Sequence, residues 1–206
     1  MDLPLASPGA LAGDVVAVVL AGGEGRRMGG RKPLRRFGHD RLIDRAVAQA
    51  SGYCPQVAVA VRSPLQIPDL RGVRLLLDDT ALAGPLAGVA SAMAFALAEG
   101  AGHVLTIPCD TPRLPADLLQ RLAGALQGGG PARVAVAESG RRLHPACALW
   151  PADGLEALRA YAARGRASLH GFAGELCMSI VGWDVRGGDP FANANTPEDL
   201  AALQPA

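Results

Sequence analysis

Between Val15 and Lys32 the chain reads VVAVVLAGGEGRRMGGRK: an apolar, β-branched run stops at Gly22-Gly23 and gives way to a loop rich in glycine and cations. Glycine has no Cβ, so its N–H groups can come close to a ligand, and successive N–H groups form a concavity that binds anions. Arg26, Arg27, Arg31 and Lys32 add charge to this loop, and a guanidinium grips phosphate through two parallel hydrogen bonds. The chemistry indicated is the handling of a nucleotide phosphate. Spacing excludes two familiar loops. A P-loop needs Lys and then Ser or Thr after its last glycine, whereas Gly30 is followed by Arg31-Lys32-Pro33. A dinucleotide fingerprint needs G-x-G-x-x-G and an acid after the second strand. Here Gly29 falls one residue late after Gly23-x-Gly25, and the second apolar run, Val57 to Val61, ends in Arg62. The alternative is a solvated basic turn.

Two carboxylates follow apolar runs: Asp110 after Val104 to Ile107, and Asp79 after Leu75-Leu76-Leu77-Asp78. Magnesium takes oxygen ligands and needs only one or two carboxylates when phosphates supply the rest. Each acid could instead cap a turn or helix, and Asp78 reads as a solvated neighbour. Gly84-Pro85-Leu86-Ala87-Gly88 forms a second tight segment at the mouth of a helix, where free N–H donors could face a base or sugar. It could also be a plain helix start. Asn193 and Asn195, two residues apart, can aim amides at a heterocycle with mixed donors and acceptors, or can be turn residues. His144-Pro145 precedes an apolar strand, with a structural hydrogen bond as the ordinary role of the histidine. No Ser/His/Asp or Cys/His arrangement can be assembled.

Strand and helix patterns alternate, so these groups should lie along one edge of a sheet. Val57–Val61, Val73–Leu77, Val104–Ile107, Val134–Ala137, Ala146–Trp150 and Ser179–Trp183 read as strands. Helical spacing appears from Leu42 with Asp40 as cap, over Pro85–Glu99, Pro115–Leu126 and Gly154–Ala163, and after Thr196-Pro197-Glu198-Asp199, a capping-box start. The pattern predicts an α/β fold with a mostly parallel sheet and helices on both faces. Ligands then bind outside the carboxyl ends of the strands.

With 206 residues, the chain is expected to form one domain over residues 14–206, after a disordered tail over 1–13. The net charge of +1 and the low aromatic content argue against nucleic acid as a partner. The four cysteines have no metal-ligand spacing, which fits a reduced, cytoplasmic protein. No apolar run reaches about 18 residues, so no membrane span is expected.

Taken in order, LAGG-x-x-x-RMG-x-x-K (Leu20 to Lys32), GPLAG (Gly84 to Gly88), PCDTP (Pro108 to Pro112), His144-Pro145 and N-x-NTPEDL (Asn193 to Leu200) resemble the molybdenum-cofactor guanylyltransferases. The glycine signature is shared by many nucleotidyltransferases, whereas PCDTP with N-x-NTPEDL is more specific. The resemblance implies a Rossmann-like, GT-A-like nucleotidyltransferase fold. The implied reaction joins GTP, with Mg2+, to molybdopterin or Mo-molybdopterin and releases pyrophosphate. Molybdoenzymes or other cofactor-biosynthesis proteins are the implied further partners. It also implies that Leu20, Ala21, Gly22 and Gly23 contact the nucleotide, with Gly84 and Asp79. Lys32 and Arg27 would act on phosphate, Asp110 would hold the metal, and Asn193 and Asn195 would serve the pterin. The alternatives are a related cytidylyl- or sugar-phosphate transferase, or a non-catalytic carrier of the cofactor. Two departures stand out: Arg31 where the family usually has Asp, and no Asn at the end of Val57–Val61.

Overall fold

The computed structural model describes residues 14–23 and 31–204. The tail expected over residues 1–13, and the loop residues Gly25, Arg26, Arg27, Gly29 and Gly30, lie outside them. In chain order the elements are β1 (Val15–Leu20), a 3-10 turn over Lys32–Leu34, the short β2 (Arg36–Phe37) and β3 (Asp40–Arg41), α1 (Leu42–Tyr53), β4 (Val57–Val61) and β5 (Arg74–Leu77). There follow α2 (Pro85–Ala98), β6 (His103–Pro108), α3 (Leu118–Leu126), β7 (Val134–Ser139) and β8 (Arg142–Pro151). The chain continues through α4 (Leu155–Ala163), α5 (Leu169–Glu175), β9 (Met178–Trp183) and α6 (Pro197–Ala202).

Seven strands form one sheet in the order β5-β4-β1-β6-β8-β7-β9. All run parallel except β8, which is antiparallel to both β6 and β7. A strand covered on both faces must be apolar at every position rather than at alternate ones. In β1, Val16 and Val18 pack with Leu86, Val89 and Met93 of α2, together with residues of α4 and α5. Val15, Ala17 and Val19 pack on the other face with Ile43 of α1 and Leu118 of α3. The unbroken valine run is therefore what a two-faced sheet demands.

Several boundaries differ from the sequence expectation. Asp40 does not cap α1: it lies in β3, and the N-cap residue is Arg41, whose guanidinium instead donates to Asp44 at 2.6 and 2.7 Å. Helix α3 starts at Leu118, after a turn in which Leu118 N–H bonds Pro115 O. A 3-10 turn over Ala152–Gly154 precedes α4. Helix α5 was not foreseen; it is short, and Ser168 caps it by accepting from Gly171 N–H. His144-Pro145 lies inside β8 rather than before it. Register against β7 jumps there, from Ala137↔His144 to Val136↔Ala148, and this bulge accommodates a proline that has no N–H for the ladder. The β7–β8 turn, Gly140-Arg141, has φ of 53° and 66°, the two positive values of a tight hairpin.

The outer strand β9 leaves Ile180 53% exposed. Arg121 of α3 donates to Gly182 O at 2.5 Å, and its guanidinium lies 4.3 Å from the centre of the Trp183 ring.

Trp150 is fully buried, stacks on Phe172 at 5.6 Å and donates its indole N–H to Thr106 at 3.0 Å. Trp150→Ala is expected to cost about 3–5 kcal/mol in urea unfolding. Leu65→Ala, at a side chain 84% exposed, should stay within about 0.5 kcal/mol.

Candidate active site

The strand order reverses at β1, with β4 on one side and β6 on the other, and a crevice opens at such a point beyond the carboxyl ends of the strands. A cleft of about 680 Å³ occupies it. Of the residues expected at the site, Leu20, Ala21, Gly22, Gly23, Lys32, Gly84, Asp110, Asn193 and Asn195 line the cleft. They come from four distant stretches of chain. Arg27 lies outside the described residues, and Asp79 is not part of the lining.

At the centre, Lys32 Nζ donates to Asp110 Oδ2 and, at 2.9 Å, to Asn195 Oδ1. Arg31 stands in the left-handed region (φ 50°, ψ 32°) immediately before the turn that carries Lys32. Ala194 N–H bonds the Asp110 carbonyl at 2.8 Å, and Thr111 Oγ1 approaches Asn193 Oδ1 at 3.4 Å. The carboxyl-terminal segment is thus docked onto the strand end that carries the acid. The second oxygen, Asp110 Oδ1, is buried without a partner. A buried acceptor in that state has a place for a cation or a donor. Among the described residues no three His, Cys, Asp or Glu side chains converge as a metal cage. One carboxylate beside a lysine is a donor set that fits magnesium, which keeps water and phosphate as its other ligands.

The structure exchanges the positions expected of Asp78 and Asp79. Asp78 lines the cleft, and its Oδ1 is buried without a partner. Burial raises its carboxyl above the usual range, with Arg62 pulling the other way. A Cβ on Gly22 would lie 2.1 Å from Asp78 Oδ2, so Gly22 makes room for this carboxylate. Asp79 instead accepts Ala81 N–H at 3.0 Å and lies 3.8 Å from Arg159, as the cap of the loop before α2. Side-chain parity was the available signal. Leu76 packs in the α2-side core, and two residues on, Asp78 points the same way. Arg62 and Ala146, which also line the cleft, had no motif to announce them. Cys109 lines it too, but burial pushes its thiol up to about 12, so it is not a nucleophile at neutral pH.

Residues 17–176 match the MobA-like NTP transferase domain. The chain is 41% identical over 189 residues to a molybdenum cofactor guanylyltransferase of Cereibacter sphaeroides, covering 91% of this chain and 94% of that one. It is 40% identical over 193 residues to the enzyme of the same name from Acidiphilium cryptum, covering 91% and 93%. Among solved structures, the fold resembles molybdopterin-guanine dinucleotide biosynthesis protein A of Archaeoglobus fulgidus, with a TM-score of 0.70 at 22% identity over 90% of this chain and 95% of that one. The chain therefore belongs to the molybdenum cofactor guanylyltransferases, a family of nucleotidyltransferases with a MobA-like domain.

Proposed function

We propose that this protein transfers GMP from GTP to the terminal phosphate of molybdopterin or its molybdenum complex. The observation that carries this reading is the meeting of Lys32, the half-satisfied Asp110 and Asn195 in one cleft. An oxygen of the acceptor phosphate attacks the α-phosphorus, the bond to the bridging oxygen breaks, and pyrophosphate leaves with that electron pair. The attacking oxygen is already anionic, so no general base is required. Alignment and neutralisation of charge dominate such a step.

Lys32 can hold phosphate oxygens of the donor. Asp110 would hold Mg2+, which when bound neutralises phosphate charge. Asp78, an acceptor only while ionised, suits the neighbouring ring N–H and exocyclic amine of guanine, whereas cytosine offers a single donor group. Gly22, Gly23 and Gly84 leave space for the base and sugar. Asn193 and Asn195 form the acceptor wall. Asn195 is not remote from the nucleotide side, because it shares Lys32 with Asp110.

Asp110→Asn is expected to leave the fold intact and slow pyrophosphate release roughly 10²–10³-fold at saturating magnesium, or about 3–4 kcal/mol. Near-normal rates would remove Asp110 from the reaction. Arg35→Ala, at an exposed residue on the turn that carries Lys32, should change the rate far less than Lys32→Ala.

Asp78→Asn should weaken GTP binding roughly 10-fold or more in calorimetry while raising the melting temperature at neutral pH. The sign follows from the raised carboxyl. The stability this group contributes is complete below its unfolded pKa and is lost as pH rises through the higher folded value. At neutral pH the ionised form is therefore a cost that the amide removes. Gly22→Ala, which forces Asp78 aside, should depress GTP affinity more than CTP affinity. Equal losses for both nucleotides would take Asp78 away from the base.

A further inference from the structure

The proposed reaction leaves His144 without a role, yet it belongs to a buried polar chain. Ser139 Oγ lies 2.7 Å from His144 Nε2 and 2.7 Å from Asp189 Oδ1. A hydroxyl has one proton, and a carboxylate can only accept. Ser139 therefore donates to Asp189, and His144 Nε2–H donates to Ser139. Burial holds the imidazole below its ordinary pKa, against the pull of Asp189 and Glu138 and together with the push of Arg142, so the ring is neutral with its proton on Nε2. In a nucleophilic triad the histidine takes the proton of the serine. Here the donation runs the other way, and Ser139 cannot be activated.

The chain of bonds instead ends on backbone. Asp189 Oδ1 also accepts Phe191 N–H at 2.9 Å. Phe191, 1% exposed, stacks on His144 at 4.9 Å and meets Trp183 edge-on at 5.1 Å. Two residues later come Asn193 and then Ala194, whose N–H holds the Asp110 carbonyl. Beyond them Asp199 Oδ2 accepts Asn195 N–H at 3.1 Å and Thr196 N–H at 2.9 Å. Residues 189–195 are thus strung between two carboxylates, one anchored to the β7–β8 hairpin and the other to α6.

We propose that Ser139, His144 and Asp189 are positioning residues for the acceptor. They fix the conformation of residues 189–195, so that Asn193 and Asn195 present their amides to the acceptor while Ala194 steadies Asp110. This rests on the reading of that segment as the acceptor wall.

The test compares Asp189→Ala, Asp189→Asn and Ser139→Ala with the unaltered protein by two readouts. Hydrogen exchange followed by mass spectrometry on the ligand-free protein reports on residues 189–195. Initial rates of pyrophosphate release give KM for molybdopterin and for GTP separately. In Asp189→Ala, exchange in that peptide should rise at least tenfold while peptides from β1 and β6 are unchanged. KM for molybdopterin should rise about tenfold, the loss of roughly one hydrogen bond, with KM for GTP within twofold. Asp189→Asn keeps an oxygen for both donors and should restore both values. If Asp189→Ala does not fold, Ser139→Ala, which spares the Asp189–Phe191 bond, decides by the same readouts with smaller changes. Unchanged exchange, an equal rise in both KM values, or failure of Asp189→Asn to rescue would overturn the proposal. Absence of turnover with GTP and molybdopterin in the unaltered protein would instead overturn the proposed reaction, and the exchange data would still report on the polar chain.

Discussion

A carboxylate withdrawn from water has to find a cation or a set of donors, because burying it alone costs several kcal/mol. Asp110 sits at the end of a strand buried on both faces, and it meets this requirement by half. One oxygen takes the Lys32 ammonium and the other takes nothing. Much else in the structure serves this arrangement. The 3-10 turn that follows the left-handed Arg31 carries Lys32 to the acid. Asn195 takes a second proton of the same ammonium, and Ala194 holds the carbonyl of Asp110. The turn over Lys32–Leu34, the β6 end and the carboxyl-terminal segment are therefore tied by one charged group. Loss of Lys32 would leave a buried anion and also release the segment that carries Asn195.

A second, half-buried carboxylate, Asp78, has no cation bonded to it in this way among the described residues. It stays in the cleft because Gly22 leaves it space and because the sheet fixes its backbone, with Asp78 N–H bonded to Val61 O. Folding energy is spent to hold an unsatisfied acceptor in place. Such a local cost belongs where a ligand will later supply the missing donors. The two orphaned oxygens belong to residues that line one cleft, and in the proposed reaction one faces the base and the other the phosphates.

The sheet and most of the residues that line the cleft were legible in the sequence for definite reasons. Short β-branched runs bounded by turn residues read as strands covered on both faces, and Asp110 follows such a run, so its place at the carboxyl end could be read from its position in the chain. Thr196-Pro197-Glu198-Asp199 formed the capping box that its spacing foretold. What could not be read depended on distant partners. The choice between Asp78 and Asp79 hung on which acid the α2 side of the sheet would face, and a pair of adjacent aspartates hides that parity. The Ser139–His144–Asp189 chain joins a hairpin to a loop far along the sequence, and the hairpin itself was masked because β8 begins four residues before its apolar run. β2 and β3 are two residues each, too short to show a period.

Arg121 gives the molecule a property apart from its chemistry. An outer strand such as β9 presents main-chain groups that another chain could pair with, and exposed apolar side chains such as Ile180 strengthen that template. By taking the Gly182 carbonyl and covering the Trp183 indole, Arg121 removes one rung from that ladder and lays a charge across it. The same indole braces Phe191 from within. A single arginine thus discourages self-association at the margin of the sheet, beside an aromatic contact that helps hold the loop over the cleft.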